Sequence, residues 1–278
     1  MHWAEIDITE PVVMGILNVT PDSFSDGGDF TDLETARQHA EEMCLAGARI
    51  IDIGGESTRP GAIMPSASEE IARVVPVITA VRPIVQKYGA KISIDTRRAE
   101  VMAAAHAAGA EIINDVSALT HDAAALPFAA AHQLPVVLCH MRGDPQTMQQ
   151  NPTYTDVVRE VFDDLAACIA ACVGAGLARE KIAIDPGIGF GKTTAHNTTL
   201  VQNLPTFQNL GVPILIGLSR KRMVGEITGA SDPKSRLAGS IAGGLFALSR
   251  GANILRVHDV RETVEAIRMW RALTTEGI

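Results

Sequence analysis

The chain has 278 residues, 46% of them apolar and 4% aromatic, with a formal net charge of −8. That length suffices for one large core or two small ones, and the acidic balance argues against general binding to nucleic acid or to an anionic membrane surface. The chain opens with no basic-then-apolar leader, and no apolar run reaches the ~18–20 residues of a membrane span, so a cytoplasmic protein is expected.

In chain order, eight short runs rich in β-branched residues are expected as strands. They are "VVMGILNV" (12–19), "RIIDIGG" (49–55), "KISIDT" (91–96), "EIINDVS" (111–117), "PVVLCHM" (135–141), "KIAIDPG" (181–187), "PILIGLS" (213–219) and "NILRVHD" (253–259). Helical patterns such as "LETARQHAEEMCLAGA" and "YTDVVREVFDDLAACIAACVGAG" lie between them. Several end in glycine just before the next strand (Gly47, Gly89, Gly109, Gly176, Gly211, Gly251), where a left-handed residue closes a helix. Cys168 and Cys172 fall one turn apart in an alanine-rich helix, with no further Cys or His at ligand spacing, and read as packing residues.

Eight β-then-α units with no break in composition point to an α/β fold, one (β/α)8 TIM barrel over residues 1–278 with its core at about 12–272. A doubly wound sheet ranks second, because such sheets usually have fewer strands and need a switch point. The long irregular stretches, 20–32, 54–67, 141–154 and 186–198, all follow strands, and in a barrel of this kind those loops form the catalytic face.

Polar residues recur at the ends of these strands. They include Asn18; Asp52 with Glu56, Ser57, Thr58 and Arg59; Asp95 and Thr96; Asn114 and Asp115; His140 and Arg142; Asp185; Ser219, Arg220 and Lys221; and Arg256 and His258. Buried charge is expensive unless paired, so one such Asp is an ordinary structural partner, but a ring of them is a site. Asp95, Asn114 and Asp185 supply acceptors and an amide donor, which suits a planar heterocycle rich in N–H groups, such as an amino-pyrimidinone. Arg59, Lys221, Arg256 and His258 form a cationic group suited to a phosphate or pyrophosphate. Pyrophosphate commonly brings Mg²⁺, a hard cation for which Asn18 offers a side-chain oxygen.

At this point the motifs resemble a known family. "GILNVTPDSFSDGG", "DIGGESTRPGA", "SIDT", "INDVSA", "HMRGDPQTMQ", "DPGIGFGK", "GLSRKRMVG" and "RVHDV" are similar, in order from about residue 12 to 270, to the dihydropteroate synthases. The resemblance implies condensation of 6-hydroxymethyl-7,8-dihydropterin diphosphate with p-aminobenzoate, giving 7,8-dihydropteroate and pyrophosphate in folate biosynthesis, and a sulfonamide target. It implies that Asp95, Asn114, Asp185 and Lys221 hold the pterin, with Met141, Phe190 and Gly217 beside it. Asn18 matches the Mg²⁺ ligand, and Thr58, Arg59, Arg256 and His258 match the diphosphate side. Thr58, Arg59, Pro60, Phe190, Lys221 and the helix start at Arg222 match the p-aminobenzoate pocket, with Phe24 in a mobile first-loop lid. Asp95, Lys221, Arg59 and Asp185 are the catalytic candidates.

One position departs from the family. A small Ser is expected after "SRK", and Arg222 stands there. Its guanidinium can pair with the aminobenzoate carboxylate directly, or turn to solvent and leave the backbone N–H to bind it. The second is the expectation. His140 and Arg142 are as consistent with a structural turn as with substrate binding, and Glu56 reads as ordering its loop rather than as a metal ligand. Asp52 is as consistent with a structural role as with a functional one, and Asp22 is a lesser metal candidate.

Two other readings share the acidic ring. A methyltransferase barrel carrying folate would not need the cations Arg59, Lys221 and Arg256, and a non-catalytic pterin-binding barrel would not need the full set. Small-molecule substrates are the expected partners. A homodimer is expected from the family, with "RLAGSIAGGLFALSRGA" able to supply either an interface or an ordinary barrel helix.

Overall fold

The computed structural model describes residues 1–19, 29–56, 64–144 and 147–274. Among them run β1 (His2–Trp3), β2 (Ile6–Asp7), β3 (Val12–Asn18), α1 (Asp29–Ala46), β4 (Ile50–Gly54), α2 (Ala67–Lys87) and β5 (Lys91–Asp95). Next come α3 (Ala99–Ala108), β6 (Ile112–Asp115), α4 (Ala125–Ala131), β7 (Val136–Cys139), α5 (Val157–Gly174) and β8 (Ile182–Asp185). The chain continues through α6 (Thr194–Gln202), α7 (Leu204–Phe207), β9 (Leu215–Ile216), α8 (Arg222–Thr228), α9 (Leu237–Ser249), β10 (Ile254–Val257) and α10 (Val260–Thr274).

The strands β3 to β10 form one parallel sheet in the order β8-β7-β6-β5-β4-β3-β10-β9. The ends meet where Ile184 pairs with Ile214 and the Ile184 N–H donates to the Pro213 carbonyl at 2.9 Å. The result is the expected eight-stranded α/β barrel, with helices between successive strands. Every expected strand is present but trimmed at its ends, because the flanking polar residues belong to turns. Helix ends follow local chemistry. Ser66 and Glu69 form a capping box on α2, Asp156 caps α5, and Gly109 closes α3 at φ +121°, a conformation L side chains avoid.

Strand periodicity builds the interior. Successive residues face opposite sides, so Ile51, Ile113, Val136, Leu138, Ile182, Ile184 and Ile216 pack outward against helices. Met14, Ile50, Ile112, Val137, Ala183, Leu215 and Ile254 fill the inside. Two residues further on, the inward positions turn polar: Ile50 is followed by Asp52, Ile112 by Asn114, Ala183 by Asp185 and Ile254 by Arg256. The barrel is therefore apolar below and polar at its C-terminal mouth.

A small feature was not expected from the sequence. The two-residue strands β1 and β2 pair antiparallel and insert Trp3, Ile6 and Ile8 beneath the barrel floor, all at or below 3% exposure. The Trp3 indole N–H donates to the Lys181 carbonyl at 3.0 Å. Strands this short leave no periodic pattern in a sequence. All four cysteines are free thiols, with Cys172 buried and Cys168 half-buried on α5.

Candidate active site

The mouth is built by register. Gly54, Asp95 and Asn114 are neighbours across β4, β5 and β6, and Asp185 pairs with Cys139 across β7 and β8. The floor is a connected polar array. The Asn114 amide donates to Asp52 Oδ2 at 3.0 Å. Arg256 Nε donates to the same oxygen at 2.6 Å, and its Nη2 donates to Asp95 Oδ2 at 2.7 Å. One guanidinium thus bridges two carboxylates, leaving one formal negative charge. Arg256, expected among the cations of the diphosphate side, stands among the acids. Asp52 is completely buried, and its Oδ1 has no hydrogen-bond partner.

Electrostatics follow from burial. Desolvation pushes the Asp95 carboxyl up to about 7, opposed by Arg256 and reinforced by the neighbouring Asp52 and Asp115. Asp115 is likewise raised, to about 6, by burial, although Ser117 and Leu119 donate hydrogen bonds to it. Asp185 is raised by burial against the Gly187 N–H at 2.7 Å and the Lys221 charge.

Lys221 lies on the opposite rim. Its ammonium donates to the Ile188 carbonyl at 2.6 Å and sits 4.0 Å from the centre of the Phe190 ring, a cation–π contact. Burial lowers its pKa while Asp185 opposes that shift. Arg220 aims it: at φ +58° it is a strained non-glycine residue, and its guanidinium grips both Asp259 oxygens. Strain of this sort concentrates where geometry is used.

His258 is half-buried, with its ring lowered to about 4 by desolvation. Ser219 Oγ accepts from the His258 backbone N–H at 3.1 Å and lies 3.0 Å from Nδ1. The one hydroxyl thus holds both the backbone and the ring of His258. Gly217 leaves space at this point, since a Cβ there would come to 3.9 Å from Asp185 Oδ2 and from Arg256 Cβ. Asn18 Oδ1 and Asp95 Oδ2 both flank Gly54, at 3.8 and 3.7 Å from where its Cβ would stand.

Four expected site residues, Phe24, Thr58, Arg59 and Pro60, lie outside the described residues, as does Asp22. Arg222 turns outward with 83% of its side chain exposed and pairs with Glu226 at 2.5 Å, the solvent-facing arrangement expected of it. Glu56 is buried against Arg97 at 2.9 Å and near Arg98 at 3.7 Å, so it ties the second loop to the turn after β5. His140 and Arg142 both reach Asp164, and Arg142 also pairs with Glu160. They brace the loop after β7. Met141 is half-buried past the end of β7, and the inward residue beside Asp185 is Cys139. Cys139 could have been found by counting two residues on from Val137, but attention to polar types passed over it. Lys192, fully enclosed seven residues beyond β8, leaves no such signal.

A cavity of about 450 Å³ opens beside this rim, with Phe190, Lys221, Gln149, Asn197 and Arg222 among its walls. Parallel barrel, acidic floor and cationic rim together define a pterin-binding barrel enzyme, and the family model "Pterin binding enzyme" matches residues 14–258. The dihydropteroate synthase of Escherichia coli strain K12 is 49% identical over 267 residues, covering 96% of this chain and 93% of that protein. The Xanthomonas albilineans dihydropteroate synthase with 4-aminobenzoic acid superposes with a TM-score of 0.90 at 49% identity, over 97% of this chain and 95% of that one. The same enzyme in complex with 7,8-dihydropteroate gives 0.88 at 46% identity, over 98% and 97%. The chain belongs to the dihydropteroate synthases, which are transferases.

Proposed function

We propose that the chain joins 6-hydroxymethyl-7,8-dihydropterin diphosphate to p-aminobenzoate by losing pyrophosphate before the amine attacks. The observation that carries this is the Asp52–Arg256–Asp95 bridge, whose formal charge is −1 and which runs from the fully buried Asp52 to the partly exposed Asp95 at the barrel mouth. Fixed charge in such a place acts strongly on charge that develops during reaction. The methylene C–O bond breaks and its electron pair leaves with the diphosphate. The positive charge left on the methylene spreads into the ring, and Asp95 stands beneath it. The aniline nitrogen then forms the C–N bond and gives its proton to solvent. No side-chain nucleophile is needed.

Asn114 and Asp185 bind and orient the ring by its N–H and carbonyl groups. Lys221 serves both substrates, standing between Asp185 and the Phe190 face. By family likeness His258 and Arg256 stand on the diphosphate side with Asn18, Arg59 and Thr58. Phe190 lines the cavity that would take p-aminobenzoate, and Pro60 is assigned to that pocket by family likeness alone. Sulfonamides compete there as analogues of that acid.

The donors present fit Mg²⁺ as a passenger on the diphosphate rather than as a resident ion. Among the described residues no group of three or more His, Cys, Asp or Glu side chains could hold a metal. Asn18 presents one hard oxygen at the mouth, and Mg²⁺ typically takes few protein ligands beside substrate phosphates. When bound, the ion neutralises charge on the leaving diphosphate.

The exposed α9 positions Ala238, Ala242 and Phe246, with Ile227 on α8 at 61% exposure, suit a second copy of the chain, and a homodimer is the proposed state. Sedimentation at micromolar concentration checks it. The family chemistry is that of a cytoplasmic enzyme.

The order of bond breaking is tested by oxygen-18 placed in the C–O–P bridge. With p-aminobenzoate withheld and Mg²⁺ present, the label should scramble into non-bridging positions of recovered substrate. A label that stays in place while turnover proceeds normally on adding the amine would sink the stepwise route.

A further inference from the structure

Several buried ionisable groups have no part in the reaction just described, and Lys192 is the one that clamps two loops of the mouth. Lys192 is 3% exposed, and none of its hydrogen-bond partners is a carboxylate. Its Nζ faces the carbonyls of Gly187 (3.0 Å), Phe190 (3.0 Å) and His140 (3.2 Å), and His140 Nδ1 at 2.9 Å. An ammonium buried without a counter-charge is costly, and burial pushes this one down to about 7. Burial also lowers His140, to about 4, so its ring is neutral. It accepts at Nδ1 and donates from Nε2 to Asp164 at 3.1 Å.

The clamp joins two loops. His140 ends the β7 side, and Gly187 and Phe190 belong to the β8 side. The backbones are pressed together: a Cβ on Gly187 would lie 1.8 Å from the His140 carbonyl oxygen, and one on Gly191 would lie 2.4 Å from that of Arg142. The two clamped residues of the β8 loop differ in how else they are held. Gly187 follows closely on Asp185, whose position the strand ladder fixes. Phe190 lies five residues past that strand, in a loop whose glycines at 187, 189 and 191 all have positive φ; next to it, the Gly189 N–H donates to Asn197 Oδ1 at 2.9 Å and the Gly189 carbonyl accepts from the Gln149 amide. The Phe190 backbone N–H turns back on the Gly187 carbonyl at 3.1 Å, and its own carbonyl goes to Lys192.

We infer that Lys192 is a positioning residue for the p-aminobenzoate side of the site: its buried nitrogen anchors the Phe190 backbone to the end of β7 and thereby sets the ring against which Lys221 stands. This rests on the reading of Phe190 and Lys221 as walls of that pocket. It separates the two substrates. The pterin groups Asp95, Asn114 and Asp185 are held by strands, whereas the Phe190 ring is held through Lys192.

Steady-state kinetics on the full chain test it, varying each substrate with the other saturating, alongside thermal melting. Lys192→Met keeps the stem and removes the donors. It should raise the KM for p-aminobenzoate by about tenfold or more, while kcat and the KM for the pterin diphosphate stay within about threefold. Lys192→Gln, whose amide still donates, should bring the p-aminobenzoate KM back to within about threefold of the parent, and it carries the comparison if the Met variant does not fold. Equal rises in both KM values, or a lower melting temperature with unchanged KM values, would overturn the inference and leave Lys192 as plain structure. Phe190→Ala is the control. If it raises the p-aminobenzoate KM and Lys192→Met does not, the clamp fails and the pocket stands; if it has no effect, the pocket reading itself fails.

Discussion

Arg256 reaches Asp95 across the barrel mouth at 2.7 Å while its Nε holds Asp52 at 2.6 Å. The guanidinium that the family likeness assigns to the diphosphate side is also the counter-ion of the acidic floor. It lets two carboxylates stay close together in a buried place, and it leaves the pair with the single negative charge proposed to act on the pterin.

Replacing Asp95 with Asn keeps shape and a hydrogen-bonding group but removes that charge. Initial rates at saturating concentrations of both substrates should fall by well over about tenfold. Turnover near that of the parent would take Asp95 out of the mechanism.

The same carboxyl makes a pH signature. Burial holds it at about 7 against an ordinary 3.8, so between those values the folded chain binds its proton more tightly than the unfolded chain does. Its contribution to stability therefore declines as pH rises through that window. Melting curves of the parent and Asp95→Asn should diverge progressively between about pH 5 and about pH 7.5, with the Asn variant gaining. A constant offset between the two would contradict the raised carboxyl.

Removing the bridge should be worse than removing what it bridges. Arg256→Met strands Asp52, which is completely buried, and should cost about 3–5 kcal/mol in urea unfolding. Adding Asp52→Asn should restore much of that stability without restoring turnover. A double variant as unstable as the single one would show that the loss comes from packing rather than from an unpaired charge.

Gly187 has no room for a side chain, since its Cβ would enter the His140 carbonyl and its φ is +73°. Gly187→Ala should lose at least about 1–3 kcal/mol from backbone strain alone, with turnover falling further as the displaced backbone draws its N–H away from Asp185, which accepts it at 2.7 Å in the parent. Unchanged unfolding curves would mean the two loops are free to separate.

Trp3 tests the far end of the barrel. Trp3→Ala opens a cavity under the floor and should cost about 3–5 kcal/mol, with KM values for both substrates held within about twofold because the mouth is built on strands rather than on the hairpin. A selective change in either KM would show that the plug reaches the site.

Much of this could be read along the chain. Eight β-branched runs, each followed by a turn and a helix, specified the barrel, because a strand repeats every two residues and a helix every 3.6 whatever surrounds them. The same period placed Asp52, Asn114, Asp185 and Arg256 at the mouth, two residues beyond apolar Ile50, Ile112, Ala183 and Ile254. What the sequence could not say was which of these charges answer which. Arg256 lies 204 residues from Asp52 and 161 from Asp95, Lys192 lies 52 from His140, and Arg220 finds Asp259 39 residues on. Local propensity acts over a turn or two of chain, whereas ion pairs are chosen by distance and burial once the barrel has closed. The fold and the inventory of its mouth were therefore written in the residues themselves, and their pairing was decided only in three dimensions.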